Sequence, residues 1–165
     1  MDKKFSASIL TKSDLVVRDI DILKEMDNAS VSISVAFTDN QIRRQFEANT
    51  IDTENRIKAL RKLHETGIKT SAMICPVIPY ITDVKTLIDM LTPYAEVIRI
   101  YGLSVQEGSE QSWQNVKSIL DLHFPDEKQK IESVIRDREH SYWEQLRGDL
   151  HSLQKVKNIN LNIHL

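Results

Sequence analysis

Four short stretches carry the polar or reactive groups that a ligand would meet first: Thr11-Lys12-Ser13, Ser34 to Thr38, Pro76-Val77-Ile78-Pro79-Tyr80 and Tyr101-Gly102-Leu103-Ser104. Each follows a short, largely apolar run. If those runs are parallel strands, all four stretches lie beyond the strands' carboxyl ends, where α/β folds place their ligands. Lys12 is suited to holding a carboxylate or phosphate by charge-assisted hydrogen bonds, and Ser34 to bonding a hydroxyl. The plainer alternative is a solvated lysine and a strand serine bonded to backbone, and spacing alone favours it. Pro76 and Pro79 break the strand and leave an extended exit with few free N–H groups, so that carbonyls can face a flat ligand edge; most such prolines simply end strands. Cys75, the only cysteine, stands in an apolar run and reads as a small core hydrophobe rather than a nucleophile.

Other chemistries find little support. One thiol excludes an internal disulfide and any metal or cluster site needing several thiolates from these residues. His64, His123, His140, His151 and His164 show no metal-ligand pairing and read as surface or boundary residues, so no metal site is expected. No residue is assigned a catalytic role. Arg43, Arg44, Arg56, Lys58, Arg61 and Lys62 are diluted by Glu47, Glu54 and Glu65 and read as a solvated face. Trp113, Tyr142 and Trp143 fall on helical patterns and read as packing residues. There is no phosphate loop, nucleophile elbow or dinucleotide glycine fingerprint.

The elements that would position these groups alternate. Strands are expected at Ala7 to Thr11, Val31 to Phe37, Lys69 to Val77 and Val97 to Leu103. Helices between them follow Val16, Ile20 and Leu23, then Ile57, Leu60 and His64 up to Gly67. Further helix starts are marked by Thr38 with Gln41, by Asp52 or Thr53, and by Thr82 or Asp83. Near-continuous apolar strands alternating with helices imply parallel pairing with right-handed crossovers. After Gly108 two helical patterns split around HFPDE, and the second runs from Val134 to Leu153. The tail NINLNIHL alternates strictly, as a half-buried edge strand should. The 165 residues carry 22 basic and 24 acidic side chains, a formal charge of -2, which supplies no field for nucleic acid or anionic membrane. No run approaches a membrane span and no signal peptide is recognisable, so a cytoplasmic protein with no membrane partner is expected.

The stretches ILTKSDLVVRDIDILKEM, VSISVAF and FEANTIDTENRIKALRKLHETGIKTSAMICPVIPYITD, in that order and at those distances, resemble the later part of the radical S-adenosylmethionine (SAM) proteins related to spore photoproduct lyase and called DNA repair photolyases. The resemblance covers roughly residues 7 to 105. It implies a six-stranded partial (βα) barrel whose first strand leads to Cys-x-x-x-Cys-x-x-Cys; those thiolates hold a [4Fe-4S] cluster that cleaves SAM to a radical. By this resemblance the four runs are the third to sixth strands, Lys12 and Ser34 contact polar parts of SAM, and Cys75, Pro76 and Val77 pass beside its adenine. The cluster ligands are absent from these residues.

The resulting expectation is an α/β chain: a partial barrel of about four parallel strands over 1–108, then a helical extension with a terminal edge strand over 109–165, packed as one domain. It reads as the C-terminal half of a radical SAM enzyme, inactive alone. The alternative is a non-catalytic α/β interaction module that self-associates through exposed sheet edges. Expected partners are a second copy or an N-terminal half carrying the cluster, with nucleic acid implied by the resemblance only.

Overall fold

A computed structural model describes residues 6–103, 105 and 110–165. Five strands form one sheet in the order of the chain: β1 (Ser8–Thr11), β2 (Ser30–Ser34), β3 (Lys69–Val77), β4 (Val97–Gly102) and β5 (Leu161–His164). Every pairing is parallel. Between the first strands run a 3-10 turn (Asp14–Asp19) continuing into α1 (Ile20–Glu25), then α2 (Asn40–Phe46), α3 (Thr53–Glu65) and α4 (Val84–Leu91). Beyond β4 come α5 (Glu110–His123), α6 (Lys128–Arg136) and α7 (Ser141–Lys157). This is the expected α/β architecture, a part of a (βα) barrel, and the alternating tail joins it as a fifth parallel strand.

Side-chain alternation divides the sheet into two unlike faces. Val31, Ile33, Ala72, Ile74, Ile98, Ile100 and Leu161 point one way and form a single core with Leu60 and Leu63 of α3, Leu87 and Leu91 of α4, and Trp143 and Leu150 of α7. Burying such aliphatic side chains supplies about 2 kcal/mol each, which is what holds the helices on this face. The other face carries Ser8, Leu10, Ser30, Ser32, Ser71, Met73, Val97, Arg99 and Tyr101, and it lines a cavity of about 450 Å³. A smaller cluster of Phe37, Ile78, Trp113, Leu120, Ile131 and Ile135 lies beyond the carboxyl ends, joining the loops after β2 and β3 to α5 and α6.

Some local expectations are corrected and others are resolved between their alternatives. Asp39, not Thr38, caps α2, accepting from the Gln41 and Ile42 amides. Asp52 caps α3 and Asp83 caps α4, while Thr82 turns inward and its hydroxyl accepts from the Ile78 amide at 3.0 Å. The pattern from Val134 to Leu153 is two helices, because Asp137 is extended and His140 caps a new start by accepting from the Tyr142 amide at 3.1 Å. β2 ends at Ser34, although Val35 still donates to the Met73 carbonyl at 2.9 Å. Pro76 does not end β3. The strand continues through a cis Cys75–Pro76 bond, with a register shift that sets Ile74 opposite Ile100 but Val77 opposite Gly102.

Gly67 leaves α3 with φ +82, a left-handed conformation that glycine adopts without cost. Gly102 has another reason: a Cβ there would lie 3.3 Å from Trp143, whose indole N–H is fixed to the Val134 carbonyl at 2.9 Å.

Candidate functional site at the carboxyl ends of the strands

Lys12 follows β1, and because Thr11 pairs with Ile33, alternation puts Lys12 on the open face beside Ser34. Its ammonium pairs with the Glu47 carboxylate, which leaves α2 at its C-terminal end. The other oxygen of Glu47 accepts from Arg56 of α3 at 2.6 Å. Arg56, 1% exposed, spends its remaining donors on the Ser34 carbonyl (2.9 Å), the Thr50 hydroxyl (2.6 Å) and the Ile51 carbonyl (3.2 Å). Arg43, 4% exposed, holds the same loop from the other side through the Thr50 carbonyl (2.7 Å) and the Asn40 amide oxygen (3.0 Å). A buried charge is costly unless paired and hydrogen-bonded; Arg56 has both, its ion pair with Glu47 and bonds from all three nitrogens, while Arg43 is held by hydrogen bonds to carbonyl, hydroxyl and amide oxygens.

The basic cluster is a solvated face only in part: Arg44, Lys58, Arg61 and Lys62 are exposed as expected, and Arg43 and Arg56 are buried. Arg61 is exposed and paired with Glu65 along its own helix, but Arg43 and Arg56 brace the site. Glu47, Thr50 and Arg56 all lie within FEANTIDTENRI. That stretch sets one arginine among three acidic residues, so its composition does not mark Arg56 or Glu47 as buried.

Burial presses the Glu47 carboxyl toward its neutral form, but hydrogen bonds and charge from Lys12 and Arg56 outweigh it and hold the pKa below the usual glutamate range. Cys75 is half-buried, so burial raises its thiol pKa; the Lys12 charge opposes this and Glu47 adds to it. A thiol raised in this way is a poor nucleophile. Since Met73 pairs with Ser34, alternation puts Cys75 on the same open face, two residues further along β3.

Of the sequence-derived site residues, Lys12, Ser34 and Cys75 thus converge, with Ser34 buried and joined to the network by its carbonyl. Pro76 and Val77 continue β3 beyond them, and Val77 is fully buried. The exit is held by Tyr80, a non-glycine residue at φ +64, whose ring lies 4.8 Å from that of Tyr142 and under the Lys130 ammonium at 3.7 Å. Leu103 donates to the Val77 carbonyl at 2.9 Å; Ser104 lies outside the described residues. Trp113 and Trp143 are buried packing residues, and none of the five histidines is buried.

A [4Fe-4S] cluster held by three thiolates does not fit the residues present, which include one cysteine. Among the described residues no group of three or more His, Cys, Asp or Glu side chains could hold a metal ion, and no helix is long and apolar enough to cross a membrane. The polar end of SAM does suit the donor at the carboxyl end of β1: a partly exposed ammonium, held from one side by Glu47, faces the open side.

The Radical SAM superfamily profile matches residues 1–91. The chain is 32% identical over 126 residues to the uncharacterized protein MJ0683 of Methanocaldococcus jannaschii, covering 76% of this chain and 47% of that protein. It is 29% identical over 114 residues to the uncharacterized protein Rv2578c of Mycobacterium tuberculosis, covering 64% and 33% respectively. A third relative, the uncharacterized protein ORF301 of Acidianus two-tailed virus, is 24% identical over 146 residues, 80% of this chain and 48% of the viral protein. The chain spans about half the length, or less, of these relatives. No solved structure matches. With more than half of its residues inside the matched region and a parallel βα sheet to carry them, the chain belongs to the radical SAM superfamily.

Proposed function

We propose that this chain forms the SAM-binding later half of a radical SAM protein of the spore photoproduct lyase-like, DNA repair photolyase group. Lys12 and Ser34 contact polar parts of SAM, and Cys75, Pro76 and Val77 pass beside its adenine. The observation that carries this reading is the Lys12 ammonium, fixed by Glu47 on the open face at the carboxyl end of β1, the face that Cys75 also shares by strand alternation. Glu47 orients the lysine, Arg56 orients Glu47, and the oxyanion of a ligand takes the ammonium's remaining donors. Because the cluster thiolates are not among these residues, radical chemistry requires a cluster-bearing segment, and these 165 residues alone are inactive.

Calorimetry with SAM tests the binding role. Lys12 is 41% exposed at its side chain, and Arg56 keeps Glu47 paired without it, so Lys12→Ala is a clean probe. Loss of one charge-assisted contact should weaken SAM binding about tenfold or more. Affinity indifferent to the substitution overturns the assignment. Anaerobic reconstitution with iron and sulfide should yield no stoichiometric brown absorbance, and a stoichiometric cluster would contradict the reading.

One observation favours the second reading, a self-associating module. Among the described residues β1 pairs on one side only, and Leu10, Leu15 and Ile22 near that edge are exposed. An open strand edge flanked by apolar side chains templates association.

A further inference from the structure

We infer that Arg99 is an anion-binding residue of the open sheet face, positioned for a carboxylate or phosphate of the substrate rather than for SAM. The inference rests on reading this face as the chamber of a radical SAM protein. In the parallel register Ser34 pairs with Met73 and Met73 with Arg99, so Lys12, Ser34, Met73 and Arg99 occupy one row across the sheet. Lys12 and Arg99 stand at opposite ends of that row, three strand spacings or about 14 Å apart. SAM's amino acid end at Lys12, with its adenine at Cys75 to Val77, leaves Arg99 on the far side of β3.

Three observations mark Arg99 as awaiting a partner. It lines the cavity of about 450 Å³. It makes one hydrogen bond among the described residues, to the Ser71 hydroxyl at 3.0 Å, and no ion pair; a guanidinium carries five N–H donors. Glu96, the carboxylate lining the same cavity, is not paired with it. The adjacent row supplies the third: Ser32, the register partner of Ser71, has a buried hydroxyl with no hydrogen-bond partner. An under-used fork of donors beside an unpaired hydroxyl is the complement of an oxyanion, and a buried polar group without a partner costs stability until a ligand satisfies it. Arg56, by contrast, is buried and engaged by protein groups at all three nitrogens, and Arg43 is buried with its Nε and Nη1 spent on Asn40, Glu47 and Thr50.

The test is NMR titration of the 165-residue chain with inorganic phosphate and, separately, acetate, following the Arg99 side-chain N–H signal and the Ser32 and Ser71 amides. The expected result is a saturable shift with at least one of the two, which also identifies the favoured oxyanion. Arg99→Gln should weaken that binding about tenfold or more, Ser32→Ala severalfold, and Arg99→Lys should retain part of it. Lys12→Ala should leave it unchanged, and Arg99→Gln should leave SAM affinity unchanged. Shifts that do not saturate, or an affinity untouched by Arg99→Gln, overturn the inference. So does loss of SAM binding in Arg99→Gln, which would assign the arginine to the cofactor. Failure of Lys12→Ala to affect SAM removes the cofactor reading and leaves the phosphate or acetate result standing.

Discussion

Glu47 is the residue on which the site turns, because one carboxylate joins an exposed lysine to a buried arginine. Glu47→Ala should destabilise the chain by about 3–5 kcal/mol in urea denaturation, since it leaves Arg56 buried without its counter-charge; a loss below about 1 kcal/mol would mean water or a neighbour replaces the carboxylate. The pH dependence follows from the sign of the shift. Glu47's pKa is lower folded than unfolded, so its contribution is complete above the unfolded value, about 4.3, and is lost as pH falls through the lower folded value. The stability difference between the native chain and Glu47→Gln should therefore be full at neutral pH and shrink as acid is added below that value. A difference constant over the acid range would show that Glu47 is not ionised in the fold. Nothing local announces this residue as buried: its partners are 35 positions upstream and nine downstream, and only the fold brings them together.

At the scale of elements, the close approach of α7 to β4 at Gly102 is specific. A methyl group there meets Trp143 at 3.3 Å and Leu165 at 3.5 Å. The hydrogen bond to Val134 prevents the indole from yielding. Gly102→Ala should cost about 1–3 kcal/mol by overpacking, read as a lower urea midpoint with unchanged slope; neutrality would show that α7 can shift outward. The elements themselves were largely legible. β3 matches its expected bounds, and β1, β2 and β4 differ only at their ends, because period-two burial against one helical layer imprints directly on residue type. The exceptions have local physical causes. Asp39 outcompeted Thr38 as a cap because its carboxylate reaches two amides, and the break between α6 and α7 depends on the His140 ring, a cap that few sequences use.

The molecule as a whole presents one closed face and one open one. Helices seal the apolar side of the sheet, while the serine-rich side and the outer edge of β1 face outward among the described residues. That arrangement predicts association of this chain at micromolar concentration. Sedimentation should give a dimer or larger species, and substituting Leu10, 57% exposed on β1, with lysine should shift it toward monomer. A tight monomer at that concentration, with or without the substitution, contradicts the prediction.

Residue pattern was enough to establish the alternating α/β class and the approximate ends of its strands, because periodicity is a property of the linear chain. Which polar residues are spent holding the fold and which remain for a ligand was decided in three dimensions. Arg43, Arg56 and Arg99 are chemically identical. The first two are buried and engaged by loop carbonyls, hydroxyls and, for Arg56, a carboxylate, whereas the third makes a single bond to a serine and keeps most of its donors free among the described residues, since hydrogen-bond satisfaction depends on partners that only strand register and helix packing bring within reach.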